Sequence, residues 1–107
     1  MKGRHLGELE EIVLLTVASI TGEAYGISIQ EFLKNNAGRI VTIGSLHSTI
    51  TRLVEKGYLD SREGGATSER GGRRKRLYTV TDSGREALVQ VKSLRDQLWQ
   101  LSIQNLS

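Results

Sequence analysis

Gly44-Ser45-Leu46-His47-Ser48-Thr49-Ile50-Thr51-Arg52-Leu53-Val54-Glu55-Lys56-Gly57-Tyr58-Leu59 is the stretch on which the reading of this chain turns. Leu46, Ile50, Leu53 and Val54 fall at i, i+4, i+7 and i+8, the spacing that commits one face of a helix to a core. The same spacing turns Gly44, Ser45, His47, Ser48, Thr51, Arg52 and Glu55 outward. That outer face is short, polar and nearly free of bulky aliphatics. Thr42 is placed to cap the start of the helix and Gly57 to end it. About ten residues further on comes a run of cations, Arg70-Gly71-Gly72-Arg73-Arg74-Lys75-Arg76.

Residues 59–63 and 75–80 have the length and residue types of two strands, and the glycine-rich residues 64–72 between them predict a hairpin with a loose tip. Tyr78 and Val80 share a strand face expected to turn inward. Arg74 and Arg76 have the same parity but lie nearer the tip, where the core has ended. Thr81 is placed to cap a last helix over residues 82–104. In that helix Leu88, Val91, Leu94 or Arg95, Leu98 and Leu101 recur at steps of three and four, the narrow stripe of a helix that packs on another helix. Nothing else in the chain is left to cover the stripe, so a second copy is its natural partner.

Upstream, residues 6–21 read as a first helix with Glu8, Glu10 and Glu11 at the positive end of its dipole. Ile12, Val13, Leu14, Leu15, Val17, Ala18 and Ile20 then cover nearly every side, which demands burial on more than one face. A second helix is predicted from Gly26 to Asn35 or Asn36, with Ile29, Phe32 and Leu33 at helical spacing and Asn35-Asn36-Ala37-Gly38 as its stop.

The predicted order is helix, helix, helix, strand, strand, helix. This is a mainly α fold with a small two-stranded β wing, a winged helix-turn-helix followed by a C-terminal dimerisation helix. Residues 1–81 form the winged-helix part and 82–107 the added helix, packed together as one unit. The expected interface between copies takes Ile12 and Leu15 from the first helix and Leu88, Val91, Leu94, Leu98 and Leu101 from the last.

A lone domain of 107 residues buries only about two-thirds of its unfolded surface, so association adds needed stability. The chain has no cysteine, and its two histidines, His5 and His47, are too few and too far apart for a zinc site. No cofactor or metal is implied. No nucleophile elbow, metal motif or phosphate loop brings serine, histidine and acid residues together, so an enzyme is not expected. Apolar runs fall short of the roughly 18 residues of a membrane span, and the first residues lack the apolar stretch of a signal peptide. These features predict a cytoplasmic, nucleoid-associated protein. The net charge is +3, but residues 70–76 carry five cations and no acid, leaving the rest of the chain at −2. Positive charge gathered in one loop beside a small-polar helix is the footprint of a duplex-binding surface.

Several pieces of this chain, in order, resemble the PadR family of transcriptional regulators. They are Leu6-Gly7-Glu8-Leu9-Glu10, Ile12-Val13-Leu14-Leu15, Ala24-Tyr25-Gly26-Ile27, Gly44-Ser45-Leu46-His47, Leu53-Val54-Glu55-Lys56-Gly57-Tyr58-Leu59, Gly71-Gly72-Arg73-Arg74-Lys75-Arg76-Leu77-Tyr78 and Thr79-Val80-Thr81-Asp82-Ser83-Gly84. The resemblance spans about residues 6–100. It implies a homodimeric repressor of the short form, with one C-terminal helix. The third helix would enter the major groove, the wing would lie on the flanking backbone or minor groove, and the last and first helices would hold the dimer. Some members bind flat aromatic effectors between their last helices. By that resemblance Trp99, the only tryptophan, is a candidate effector contact, beside the plainer reading that it fills the helix–helix interface. Two positions depart from the family pattern. His47 stands where a tyrosine is usual, exchanging a phenol for an imidazole, and Asp82 stands where proline is usual.

The expected DNA-contacting residues are Gly44, Ser45, His47, Ser48, Thr51 and Arg52 on the recognition helix, with Arg70, Arg73, Arg74, Lys75 and Arg76 on the wing. Gly44 permits close backbone approach, and serine, threonine and histidine can donate to phosphates or base edges. None of them makes the bidentate guanine contact available to arginine. Arg52 is placed either for a phosphate or for an ion pair within the protein. The expected partner is a pseudo-palindromic double-stranded operator read by a symmetric dimer. The rival reading is a winged helix that binds protein or small molecules without DNA, in which case the wing could be neutralised without loss.

Overall fold

The computed structural model describes residues 5–66 and 74–107. It contains α1 (Glu8–Ser19), α2 (Gly26–Ala37), α3 (Ile43–Glu55), β1 (Leu59–Ala66), β2 (Arg74–Val80) and α4 (Asp82–Leu106). The order is the expected one, a mainly α winged helix-turn-helix with a long C-terminal helix. Helices α1 and α2 begin or end within two residues of expectation. β1 runs three residues further than expected, into the glycines.

The core gathers one face from each of the three helices and the base of the hairpin. Val13, Leu14 and Val17 of α1, Ile29 and Leu33 of α2, Leu46, Ile50 and Leu53 of α3, and Tyr58 and Leu59 beyond it are all buried together. Leu46, Ile50 and Leu53 are therefore where the helical spacing put them, while Val54 is only half-buried. The pattern missed two buried threonines, Thr16 and Thr49. Each returns its hydroxyl to the carbonyl four residues back, Ile12 and Ser45 respectively, at 2.8 and 2.9 Å. With its donor satisfied in this way, a threonine can occupy a core position at little cost.

The turn that angles α3 against α2 is held by specific bonds. Gly38 takes the left-handed conformation (φ +62°) that ends α2, and Gln30 donates from Nε2 to the Val41 carbonyl at 2.7 Å. Thr42 caps α3 as expected, its hydroxyl oxygen accepting from the Ser45 amide at 3.1 Å.

β1 and β2 pair antiparallel from Leu59 opposite Val80 to Ala66 opposite Arg74. Glu63 faces Arg76 and Ala66 faces Arg74, so Gly64 and Gly65 together oppose the single residue Lys75. This is a β-bulge, which bends and twists the strand near the wing tip. Gly64 is not part of a loose loop; it is buried, and an added Cβ would strike the Leu77 side chain at 2.9 Å. Leu77 is accordingly the most buried residue of β2, on the face opposite the half-buried Tyr78 and Val80. The Tyr78 amide also donates to the Ala24 carbonyl at 2.9 Å, which draws residues ahead of α2 alongside the outer edge of β2.

Thr81 starts α4 as expected, accepting from the Gly84 amide at 3.0 Å while donating its hydroxyl to the Gly57 carbonyl at 2.6 Å. Gly84 presses on the Tyr58 carbonyl so closely that no Cβ fits there. The root of α4 is thus bolted to the α3–β1 turn. Beyond Val91 almost every residue of α4 is exposed, and the structure is long, 56 × 30 × 23 Å.

Candidate DNA interface

Residues Gly44, Ser45, His47, Ser48, Thr51 and Arg52 are all exposed on one side of α3, back to back with the buried Leu46, Thr49, Ile50 and Leu53. The sequence-expected recognition face therefore exists as a surface. Ile43 joins it at the first turn, 50 % exposed, an apolar side chain that the polar pattern passed over.

The wing is placed in part. Arg70 and Arg73 lie outside the described residues, and of Arg74 only the backbone, at the start of β2, is described. Arg76 is exposed on β2. Lys75, expected among the phosphate-seeking cations, has a different environment. Its side chain is only 13 % exposed, its ammonium pairs with Glu23, and it lies 4.5 Å from the centroid of the Tyr25 ring. A cation between a carboxylate and an aromatic face is well satisfied. Lys75 thus pins the tip-side end of β2 to the α1–α2 turn.

Arg52 is held from inside. Its Nε lies 3.3 Å from Glu10 Oε2 and its Nη2 donates to Thr49 Oγ1 at 3.3 Å, while half of the side chain remains exposed. Glu10 itself is buried. Its carboxylate accepts from the Gly7 amide at 2.8 Å and from Lys56 Nζ at 2.8 and 3.0 Å. Burial pushes this carboxyl up, but the hydrogen bonds from Lys56, Gly7 and Arg52 and the Lys56 charge outweigh it, holding Glu10 below the ordinary carboxylate range. Lys56 also donates to the His5 carbonyl at 2.7 Å.

The other acids of α1 face different neighbours. Glu8 receives both terminal nitrogens of Arg39, at 2.9 and 3.2 Å, a bond and a charge that lower its pKa. Glu11 accepts from Arg95 of α4 at 2.8 Å. Sequence reasoning placed all three at the helix dipole and missed these long-range partners. Arg52 in the last turn of α3 and Lys56 at its C-cap stand four residues apart, which signals a shared acceptor, but no periodicity identifies a residue more than forty positions upstream.

Of the expected interface residues, Ile12, Leu88 and Val91 are half-buried, while Leu15, Leu94, Leu98 and Leu101 are exposed. Trp99 is 61 % exposed, and Ile103 and Leu106 are exposed near the end of α4, Ile103 on the side away from Leu101. A groove beside this helix is lined by Leu6, Tyr58, Ala87, Val91 and Leu94, with polar groups from Ser83, Glu86 and Gln90.

A helix-turn-helix with an exposed polar face on α3, a paired wing and a protruding C-terminal helix defines the winged-helix class of regulator. Residues 14–90 match the family model of the Transcriptional regulator PadR-like family, and the chain belongs to that family. It is a family of transcriptional regulators rather than enzymes. Among solved structures, a PadR-like transcription factor from Bacteroides fragilis is similar at 24 % identity, covering 92 % of this chain and 89 % of that one, with a TM-score of 0.76. A PadR-family regulator from Eggerthella lenta has 24 % identity over 94 % of this chain and 87 % of its own, with a TM-score of 0.72. Bacillus subtilis PadR, solved in complex with operator DNA, has 22 % identity over 78 % of this chain and 45 % of its own, with a TM-score of 0.66. No curated protein matches the sequence. No described helix is long and apolar enough to cross a membrane.

Proposed function

We propose that this protein is a sequence-specific repressor that binds a pseudo-palindromic operator as a symmetric homodimer. The observation that carries the reading is the recognition face of α3, exposed as a continuous polar surface while the opposite face anchors in the core. Ser45, His47, Ser48 and Thr51 meet base edges and sugar–phosphate in the major groove, Gly44 lets the backbone come close, and Arg52 takes a phosphate. Arg70, Arg73, Arg74 and Arg76 reach the flanking backbone or minor groove. Lys75, turned to Glu23 and Tyr25, contributes by holding the outer part of the wing against the α1–α2 turn.

The dimer forms through α4 and α1. Leu94, Leu98, Leu101 and Trp99 leave a wide apolar band exposed on a single copy, a surface that water does not favour and a second copy would cover. A small aromatic effector binding against Trp99 would release DNA if it favoured a dimer geometry whose recognition helices no longer match the half-sites. The bound DNA in the Bacillus subtilis complex supports duplex as the partner.

Mapping the protein's genomic binding sites, then titrating a recovered fragment by fluorescence anisotropy at several salt concentrations, tests the reading. Affinity should fall steeply with salt, by about 0.9 in log–log slope for each phosphate neutralised. Binding that ignores salt, or the absence of any recovered site, would contradict it.

A further inference from the structure

Glu10 is an anomaly in a small protein: a carboxylate 6 % exposed, on the helix behind the recognition helix. A buried ion pair stabilises a fold less well than apolar packing of the same volume. Capping of α1 explains one bond, that from the Gly7 amide, and an exposed acid would serve as well. The remaining bonds run to two cations at the C-terminal end of α3, Arg52 in its last turn and Lys56 at its cap.

Those two cations are unequal. Lys56 is 16 % exposed and sits on both carboxylate oxygens, so it balances the buried charge. Arg52 is 53 % exposed and is gripped along one edge only, by Glu10 at Nε and by the buried Thr49 at Nη2. Its Nη1 has no partner among the described residues. One acid with two bases leaves a net positive charge, and that charge lies at the half-exposed guanidinium. Arg52 also stands one turn beyond Ser48 on the recognition face, where phosphates flanking a major groove would lie. A long side chain held in advance loses less freedom on binding than a free one.

We infer that Glu10 is a positioning residue for DNA binding, which from beneath α3 holds Arg52 with its open edge toward a backbone phosphate while Lys56 compensates its charge. The inference rests on the DNA-binding reading above. It has an unusual sign. Removing a negative charge near a duplex by electrostatics alone tightens binding, whereas loosening a positioned arginine weakens it.

The test is a double-mutant cycle on a genomic fragment bound by the wild type, with affinity measured across salt. Arg52→Ala should weaken binding and reduce the salt slope by about 0.9. Glu10→Gln should weaken it roughly three- to tenfold, yet cost nothing further when Arg52 is already alanine. Thr49→Val, which keeps the core volume, removes the second grip and should weaken binding in the same direction; it carries the cycle if circular dichroism shows Glu10→Gln unfolded. Tighter binding by Glu10→Gln, or an equal loss with and without Arg52, would overturn the inference while leaving DNA binding intact. A wild type that binds no duplex would bring down both.

Discussion

The body of this protein and its tail are built on opposite terms. From α1 to the root of α4, each helix buries a face in one shared core, and the connections are fastened by capped ends and by ion pairs that reach across the fold. Past Val91, α4 runs out with Leu94, Leu98, Trp99, Leu101, Ile103 and Leu106 exposed. The body folds around its own apolar residues; the tail displays them. A 25-residue helix spans roughly 37 Å at 1.5 Å per residue, enough to offer one seam to the body and another to a second copy. Under the proposed function this contrast would separate duties, with reading placed on the self-contained part and symmetry on the tail.

The largest expected effect comes from spoiling the tail. Leu94→Glu combined with Leu98→Glu should turn the dimer into a monomer by sedimentation and cut operator affinity on the order of a hundredfold or more, because two linked half-sites then bind singly. The far-UV helical signal of the body should survive. An unchanged mass would mean that the two regions do not divide the work in this way.

Next comes a change in the body's wing. Arg73→Ala with Arg74→Ala should lower the salt slope by about 1.8, twice the effect of one phosphate, without altering sedimentation. Coupling of this pair to dimer mass would blur the comparison.

The joint between the regions is more delicate. Gly84→Ala drives a Cβ into the Tyr58 carbonyl and should cost about 1–3 kcal/mol in denaturant unfolding, since the root of α4 must lift from the turn. Equal stability of this variant would show that the joint gives way easily.

The smallest effect is a matter of pH. Glu10 is held below its ordinary value of 4.5, so its stabilisation is fully present above that value and is lost as pH falls through the lower, folded one. Wild-type melting temperature should drop below about pH 4.5 more steeply than that of Glu10→Gln. Parallel acid profiles would contradict the ionised, paired state of this carboxylate.

Much of this arrangement was legible in the sequence because it rests on periodicity and punctuation. Leu46, Ile50 and Leu53 mark the buried side of α3 by spacing alone, and Thr42, Gly57 and Thr81 mark the ends of elements by their chemistry. Illegible features depend on pairs far apart along the chain. Gly64 and Gly65 read as a loop because glycine is common in loops, yet Leu77 fills the space that Gly64 leaves. Lys75 reads as one more cation in a basic run, and only its position opposite the bulge and beside Tyr25 separates it from Arg76. Glu10 reads as a dipole residue, since nothing local reveals Arg52 and Lys56 overhead.

The proposed function requires two polar helices, set by one dimer, to address the same duplex. Hydroxyl-radical footprinting of the wild type on a recovered genomic site tests it directly. Two dyad-related protected patches centred roughly 34–36 Å apart, each extended outward by the wing, are expected. A single unsymmetrical patch, or cleavage unchanged by the protein, would rule out symmetric reading of a duplex by two α3 helices.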